Sequence, residues 1–489
     1  MKFNGRTVVA FILLSVTATV LITLTAADRS VIADLVSRAG LATTPSAMQG
    51  STLTGEEEDK LEAVLSLIEN KYYKEVERDD LMDGAINGMI GALEDPYSTY
   101  MEGSVAEHFS ESIEGSFSGI GAEVTMEGGN ITIVSPIKNS PAEKAGLLPK
   151  DVLIAVNGES LEGLALNEAV AKIRGPRGTK ANVTVRRPGV SEPIELVIVR
   201  DDIDVETVYA KMLDGGIGSI EIRQFSMNTG TRFLEELETL EEQGLKGLII
   251  DVRGNPGGVL PVVVSIAEPF VPKGEPIVQV EDRSGNAEQT LSKGAGRDYP
   301  LVVLVNGGSA SASEVLAGAL RERADATIVG ETTFGKGTVQ VSYNKALGDD
   351  SLVKMTIAKW LTPDGNWIHE KGIRPDVEAP PPDYYTAPRL AKDTTLKPDT
   401  VGEQVKSMQM MLEGLGYDPG RKDGYYSEQT ADAVAKLQAD EGLPETGELT
   451  PETAEKLESR LVAYIRDDAN DTQMDEAVRV LKEQIAGGA

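Results

Sequence analysis

With 489 residues, 40% hydrophobic and 26% charged, the chain has the make-up of a folded protein of roughly three or four units. A formal net charge of -31 excludes nucleic acid and anionic membrane surfaces as electrostatic partners. Cysteine is absent and histidine occurs twice, at His108 and His369, so a disulfide framework and a thiol nucleophile are excluded. Acid–base chemistry is left to carboxylates, lysines, tyrosines or one of those two rings.

In chain order, residues 1–6 carry Lys2 and Arg6, followed by an uncharged run from Thr7 to Ala27 about as long as a bilayer-spanning helix. The positive flank puts residues 1–6 in the cytoplasm and the body of the chain outside the cell membrane. Residues 7–27 read as a transmembrane anchor, with a removable signal peptide ending at Thr25-Ala-Ala27 as the alternative, which would leave a secreted protein. Residues 28–54 are a small, polar linker. A helical region follows over 55–112: Leu61, Val64, Leu65 and Ile68 share one face, a second helix covers about Leu81–Leu93, and Asp95-Pro-Tyr97 breaks it.

Over 113–200 the pattern becomes short strands at Ile131–Val134, Val152–Val156, Val183–Arg186 and Glu195–Val199, with helices near Ser140–Ala145 and Leu166–Ile173. Over 201–380 strands and helices alternate. The uniform apolar runs Leu248–Val252 and Leu301–Val305 predict strands covered on both faces of an α/β core. A proline-rich joint opens a linker over 381–397. Three amphipathic helices occupy a unit at 398–465, and a tail helix, Thr472–Ile485, falls within 466–489. No internal repeat is read.

The chemistry concentrates in the α/β region. Asn306-Gly-Gly-Ser-Ala-Ser-Ala-Ser-Glu314 follows an apolar strand and opens a helix, where free N–H groups suit a developing oxyanion. Ser311-x-x-Glu314 also matches a capping box, and cap and nucleophile are compatible roles. Neither histidine stands in a catalytic context: His108 reads as solvated, and His369 as a packing or hydrogen-bonding residue. Lys336, between two glycines, is the candidate base, and its ammonium must be desolvated to serve. If Thr338–Tyr343 is a strand, alternation carries Gln340 onto the face continuing from Lys336, where its amide would orient the amine.

Gly330-Glu-Thr-Thr-Phe-Gly-Lys336 imitates a phosphate-binding loop. Gly337 stands where Ser or Thr should hold magnesium, and a strand pattern follows instead of a helix, so nucleotide binding is rejected. Arg253-Gly-Asn-Pro-Gly-Gly258 is either a strand-to-helix turn or a second donor of oxyanion N–H groups.

The blocks Asp251-Val-Arg-Gly-Asn-Pro-Gly-Gly258, Gly308-Ser-Ala-Ser-Ala-Ser-Glu314 and Gly330-Glu-Thr-Thr-Phe-Gly-Lys-Gly-Thr-Val-Gln340 resemble, in this order, the carboxyl-terminal processing (tail-specific) serine peptidases. Trp360-Leu-Thr-Pro-Asp-Gly365 and Gly372-Ile-Arg-Pro-Asp376 are similar to that family's closing motifs. The resemblance spans about residues 55–380. It implies a Ser311–Lys336 dyad completed by Gln340, with Gly257 and Ala312 as oxyanion donors. It also implies a crotonase-like α/β protease core at 201–380, acyl-enzyme chemistry, and no metal or organic cofactor.

Phe117-Ser-Gly-Ile-Gly-Ala122, Ser140-Pro-Ala-Glu-Lys-Ala-Gly146 and Asp151-Val-Leu-Ile-Ala-Val-Asn-Gly158 resemble a PDZ domain over 113–200. In such a domain Gly119, Ile120, Gly121 and Ala122 would receive a peptide's C-terminal carboxylate. Arg174 reads as a surface arginine, with coupling of peptide occupancy to catalysis as the alternative.

Residues 398–465 are similar to a three-helix peptidoglycan-binding module, through Val405-x-x-x-Gln409-x-x-Leu412, Asp423-Gly424 and Thr446-Gly447. Packing against the protease or a second subunit is the alternative use of those helices. The expectation is a multidomain α/β protein: a membrane-tethered, homodimeric endopeptidase that takes protein or peptide tails and, through its last module, peptidoglycan. A non-catalytic envelope scaffold is the rival.

Overall fold

The computed structural model describes residues 53–344, 347–391 and 393–487. The expected anchor or signal segment at 7–27 lies outside them. Among the described residues, no helix is long and apolar enough to cross a membrane.

The first helices, Gly55–Lys71 and Arg78–Gly91, form as the sequence predicts, the former with a complete Thr54–Glu57 capping box. Neither buries a residue, and Leu61, Val64 and Leu67 stay exposed. Leu65 and Ile68 of the expected face are half-buried, and no residue of that face is fully covered among the described residues.

The PDZ-like unit is a six-stranded sheet. Ala122–Glu127, Asn130–Pro136, Val152–Val156, Lys180–Arg186 and Ile194–Val199 lie in that order, and Glu159–Ser160 joins at Val152–Val156. Its core includes Ile131, Ile133, Leu153, Val183 and Ile198, closed by Ala169 and Ile173 of the helix Leu166–Ile173.

The protease-like unit rests on a second six-stranded sheet. Val208–Leu213 pairs antiparallel with Ile217–Ile222, and then Gly247–Asp251, Leu301–Val305, Thr327–Gly330 and Val377–Glu378 add in parallel. Alternate residues of the apolar strands face opposite layers, as their two-sided burial requires. Leu248, Ile250, Val303, Val305 and Ile328 face a large core shared with the helices Thr229–Glu242, Leu260–Ala267 and Ala312–Arg323. Ile249, Val302, Leu304 and Val329 face the other way.

That second face is covered by Ala477, Val480 and Leu481 of the terminal helix Thr472–Gly487. The helix expected as a tail is thus a layer of the protease unit. The three-helix module (Glu403–Gly414, Glu428–Asp440, Pro451–Arg466) is inserted between this unit's last strand and its last helix.

The module also contains a repeat that the sequence did not disclose. Gln409 donates to Tyr425 O at 2.8 Å and accepts from Gly424 N–H at 3.0 Å. Gln438 does the same with Glu448 O at 2.9 Å and Gly447 N–H at 3.0 Å. Each glutamine is buried and also bonds a threonine at the start of the following helix, Thr430 or Thr453.

Candidate active site

Three loops leave the C-terminal ends of adjacent parallel strands, the edge of an α/β sheet where sites assemble. They are Arg253–Gly258 after Gly247–Asp251, Asn306–Ser311 after Leu301–Val305, and 331–337 after Thr327–Gly330.

Three serines compete for the role of nucleophile, and their hydrogen bonds separate them. Ser309 Oγ donates to Val252 O at 2.7 Å, and Ser313 Oγ donates to Asn255 O at 2.9 Å. Both hydroxyls bind the serine loop to the Arg253–Gly258 loop. The Ser311 hydroxyl has no hydrogen-bond partner among the described residues. Its backbone sits at φ 54° and ψ -112°, the strained turn that lifts a side chain clear of a strand-to-helix junction. The capping box expected at Ser311-x-x-Glu314 is half formed: Glu314 Oε2 accepts from Ser311 N–H at 2.8 Å, while the serine hydroxyl caps nothing.

Glu314 does more than cap. It is fully buried. Oε1 accepts from Thr333 Oγ1 at 2.6 Å and Gly335 N–H at 2.7 Å, and Oε2 accepts from Lys336 N–H at 2.9 Å as well as from Ser311. One carboxylate therefore ties the serine turn to the lysine turn. The chain's two tryptophans hold the lysine turn from the other side, Trp360 Nε1 donating to Lys336 O and Trp367 Nε1 to Gly337 O, each at 2.9 Å. His369 Nδ1 lies 3.3 Å from Gly337 N, and its ring stacks on Trp367, which is the packing role expected for it. Gly337 must be glycine, because a Cβ would stand 2.8 Å from Trp367 Nε1 and 2.9 Å from His369 Cβ.

The Lys336 side chain is half-buried, and its amine is pushed down from the ordinary lysine value to about 8. Burial is the main cause, Lys354 adds to it, and Asp95 and Glu314 oppose it. Nζ lies 4.9 Å from the centroid of the Tyr97 ring. Among the described residues it makes no hydrogen bond to Ser311.

In the strand Thr338–Asn344, Gln340 stands opposite Thr356, and the register shift beside it skips Ile357 of the partner strand Leu352–Leu361. Its Nε2 donates to Thr338 Oγ1 at 2.9 Å and Thr356 Oγ1 at 3.0 Å. Its amide oxygen carries no hydrogen bond among the described residues.

Of the two expected oxyanion donors, the Ala312 N–H has no partner among the described residues. The Gly257 N–H is given to Asn255 Oδ1 at 2.9 Å. Gly257 nonetheless abuts the serine turn, since a Cβ on it would lie 2.9 Å from Ser311 Cβ and 3.1 Å from Ala312 N. The neighbouring Gly258 N–H is also without a partner among the described residues. Sequence spacing could not choose between the two glycines.

In the PDZ-like unit, Gly119 ends the strand Ser116–Gly119, and Ala122 opens the next one. The carbonyls of Ile120 and Gly121 are bonded, to Ala142 N–H and Ile137 N–H. The N–H groups of Ile120 and Gly121 are unpartnered among the described residues. Arg174 is half-buried, paired with Glu111, and lies over the Phe117 ring at 4.9 Å. It is more enclosed than a plain surface arginine. Sequence reasoning missed Glu314 as a clamp, Asn255, Lys354, and the Asp95–Tyr97 turn. Glu314 and Asn255 lay inside motifs singled out for chemistry; Lys354 and the Asp95–Tyr97 turn did not.

Residues 216–379 match peptidase family S41, 132–187 a PDZ domain, 401–457 a peptidoglycan binding domain, and 23–105 the N-terminal domain of the activating protease CtpB. The chain is 45% identical to the carboxy-terminal processing protease CtpB of Bacillus subtilis over 444 residues, 90% of this chain and 92% of that one. It is 47% identical to the carboxy-terminal processing protease CtpA of the same organism over 439 residues, 89% and 93% of the two chains. Among solved structures, the photosystem II D1 C-terminal processing protease matches with 30% identity, 67% of this chain and 94% of that one covered, and a TM-score of 0.39.

Proposed function

The chain belongs to the carboxy-terminal processing serine proteases of peptidase family S41, and on that premise we propose that Ser311 is the nucleophile and Lys336 its general base. The observation that carries this reading is the bonding of the three serines: Ser309 and Ser313 are committed to the scaffold, while the hydroxyl of the strained Ser311 has no partner among the described residues. Lys336 supports it with an amine at about 8, whose neutral form is accessible near physiological pH.

In this mechanism Ser311 Oγ attacks the scissile carbonyl and its proton passes to Lys336 Nζ. The N–H of Ala312 and that of Gly257, once released from Asn255, hold the oxyanion. Lys336 returns the proton to the leaving amine, and water, deprotonated the same way, releases the acyl group. Gln340 orients the amine through its free amide oxygen.

The substrate's C-terminal carboxylate docks on the N–H groups of the Gly119–Ala122 loop, and its backbone extends the PDZ sheet. We assign the protease to the extracytoplasmic face of the membrane, tethered through residues 7–27, with the 401–457 module holding peptidoglycan. A second copy covers the exposed Leu61, Val64 and Leu67 face of the N-terminal helices.

The test is cleavage of an unfolded protein with an apolar C-terminus by Ser311→Ala and Lys336→Ala, each checked for an intact fold by circular dichroism. Both should be inactive. Near-normal turnover by Lys336→Ala would remove the lysine from the mechanism.

A further inference from the structure

The Lys336 turn is fixed through its backbone by Glu314, Trp360 and Trp367, but none of these bonds reaches Nζ. The side chain that does is Tyr97, from the segment before the PDZ domain. Its ring centroid is 4.9 Å from Nζ, inside the roughly 6 Å reach of a cation–π contact.

A sequence of backbone constraints brings Tyr97 there. Asp95 closes the turn, accepting from Tyr97 N–H at 3.2 Å and from the Ser98 hydroxyl at 2.6 Å. Ser98 Oγ in turn accepts from Thr356 N–H at 3.0 Å. Thr99–Met101 then runs antiparallel to Leu352–Leu361, with Thr99 opposite Lys354. Tyr100 Oη donates to Asp83 Oδ1 at 2.7 Å, which ties the same segment to the helix Arg78–Gly91. The N-terminal segment is thus an edge strand of the sheet that carries Gln340, and its turn covers the lysine.

The charges facing Lys336 come from each element packed on it: Lys354 from the long strand, Glu314 from the serine helix, and Asp95 from this turn. Glu370 and the His369 ring border the same turn, the ring 6.3 Å from Tyr97 and edge-on to it. Burial, then Asp95, Glu314 and Glu370, hold the Tyr97 phenol above its ordinary value, so it stays neutral and meets the ammonium with its face. Burial alone would raise the Asp95 carboxyl, but its hydrogen bonds from Ser98, Thr356 and the turn outweigh this and keep it ionised.

We infer that Tyr97 and Asp95 are positioning residues for Lys336. The ring face holds the ammonium and the carboxylate favours its charged form, which makes the N-terminal segment a working part of the catalytic centre. The inference rests on Lys336 being the general base.

It is tested on the full-length protein by kcat/KM from about pH 6 to about pH 10 for Tyr97→Phe, Tyr97→Leu and Asp95→Asn, with Tyr97→Met as a second apolar replacement. In parallel, the reactivity of Lys336 toward acetic anhydride is read by mass spectrometry in the Ser311→Ala background, which needs no turnover. Tyr97→Phe keeps the ring and should overlay the parent profile. Tyr97→Leu and Asp95→Asn should each move the acid limb down by about half a pH unit, roughly a three-fold gain in neutral amine, and raise acylation to match. Rates lowered evenly at every pH, with the limb and the acylation unmoved, would overturn the inference and leave both residues merely structural. An active Lys336→Ala would instead sink the base assignment, and the acylation arm would still report on Tyr97 and Asp95.

Discussion

Glu314→Gln isolates the clamp between the serine and lysine turns. The carboxylate accepts from Ser311 N–H and Lys336 N–H on one oxygen, and from Gly335 N–H and Thr333 Oγ1 on the other. A glutamine keeps the shape but has one acceptor atom. Its best orientation leaves the oxygen on Ser311 and Lys336 and turns the NH2 toward Thr333 and Gly335. Thr333 Oγ1 can accept from that NH2, although it already accepts from Ile373 N–H at 2.7 Å. The Gly335 N–H cannot, and is orphaned in a buried site. Losing one charge-assisted bond and stranding one donor costs about 2–4 kcal/mol, less whatever is recovered by no longer burying a charge. Urea unfolding should therefore show a loss of that order with an unchanged m-value. The two turns would also lose register, which should lower kcat/KM by ~10–100-fold. A Glu314→Gln protein within about 0.5 kcal/mol and two-fold of the parent would refute the clamp.

Two further outcomes follow from the same geometry. The folded-state value of Lys336 is depressed from 10.5 to about 8, so the unfolded chain binds more protons between those values and stability rises with pH across that window. Lys336→Met should then be the more stable protein at neutral pH by ~2–3 kcal/mol, a figure already discounted for partial solvent access, with the advantage fading above that window. Equal urea midpoints at neutral pH would show that the lysine is not desolvated. Truncation before Thr472 should remove Val480 and Leu481 from the protease sheet, a loss of ~4–6 kcal/mol that approaches the whole stability of a domain. Soluble, fully active protein from that truncation would contradict the layer assignment.

The parts of the fold that were legible in the sequence are those whose residue pattern has one physical solution. Leu301–Val305 is apolar at every position, and only a strand buried on both faces uses such a run. The terminal helix was equally clear as a helix. Its stripe of Ala477, Val480 and Leu481 says that something covers it without saying what, and the cover proved to be a sheet made more than a hundred residues earlier. The paired glutamine clamps of the inserted module stayed hidden because Gln409 and Gln438 stand at unequal distances from their glycines, so no fixed period links them. The partner of Gln340 stayed hidden for a related reason: Thr356 comes from another strand, across a register shift that leaves no mark in composition.

At the site, motif blocks pointed to Ser311 and Lys336, but hydrogen bonding separates Ser311 from its neighbours. A free hydroxyl is defined by what the other serines are doing, and that is a property of the folded loops. The same holds for what fastens the loops around it. Arg253, at the mouth of the glycine loop, bonds Asp251 at 2.7 Å and Asp471 at 2.6 Å, so the loop that carries Gly257 is fastened to the start of the terminal helix. The lysine turn is covered by Tyr97 from the opposite end of the chain. The inserted module joins the terminal helix at its N-terminal end, and the N-terminal helices lead into the Tyr97 turn. The C-terminal flank is therefore ion-paired to the glycine loop that abuts Ser311, and the N-terminal flank reaches Lys336 through the Tyr97 turn.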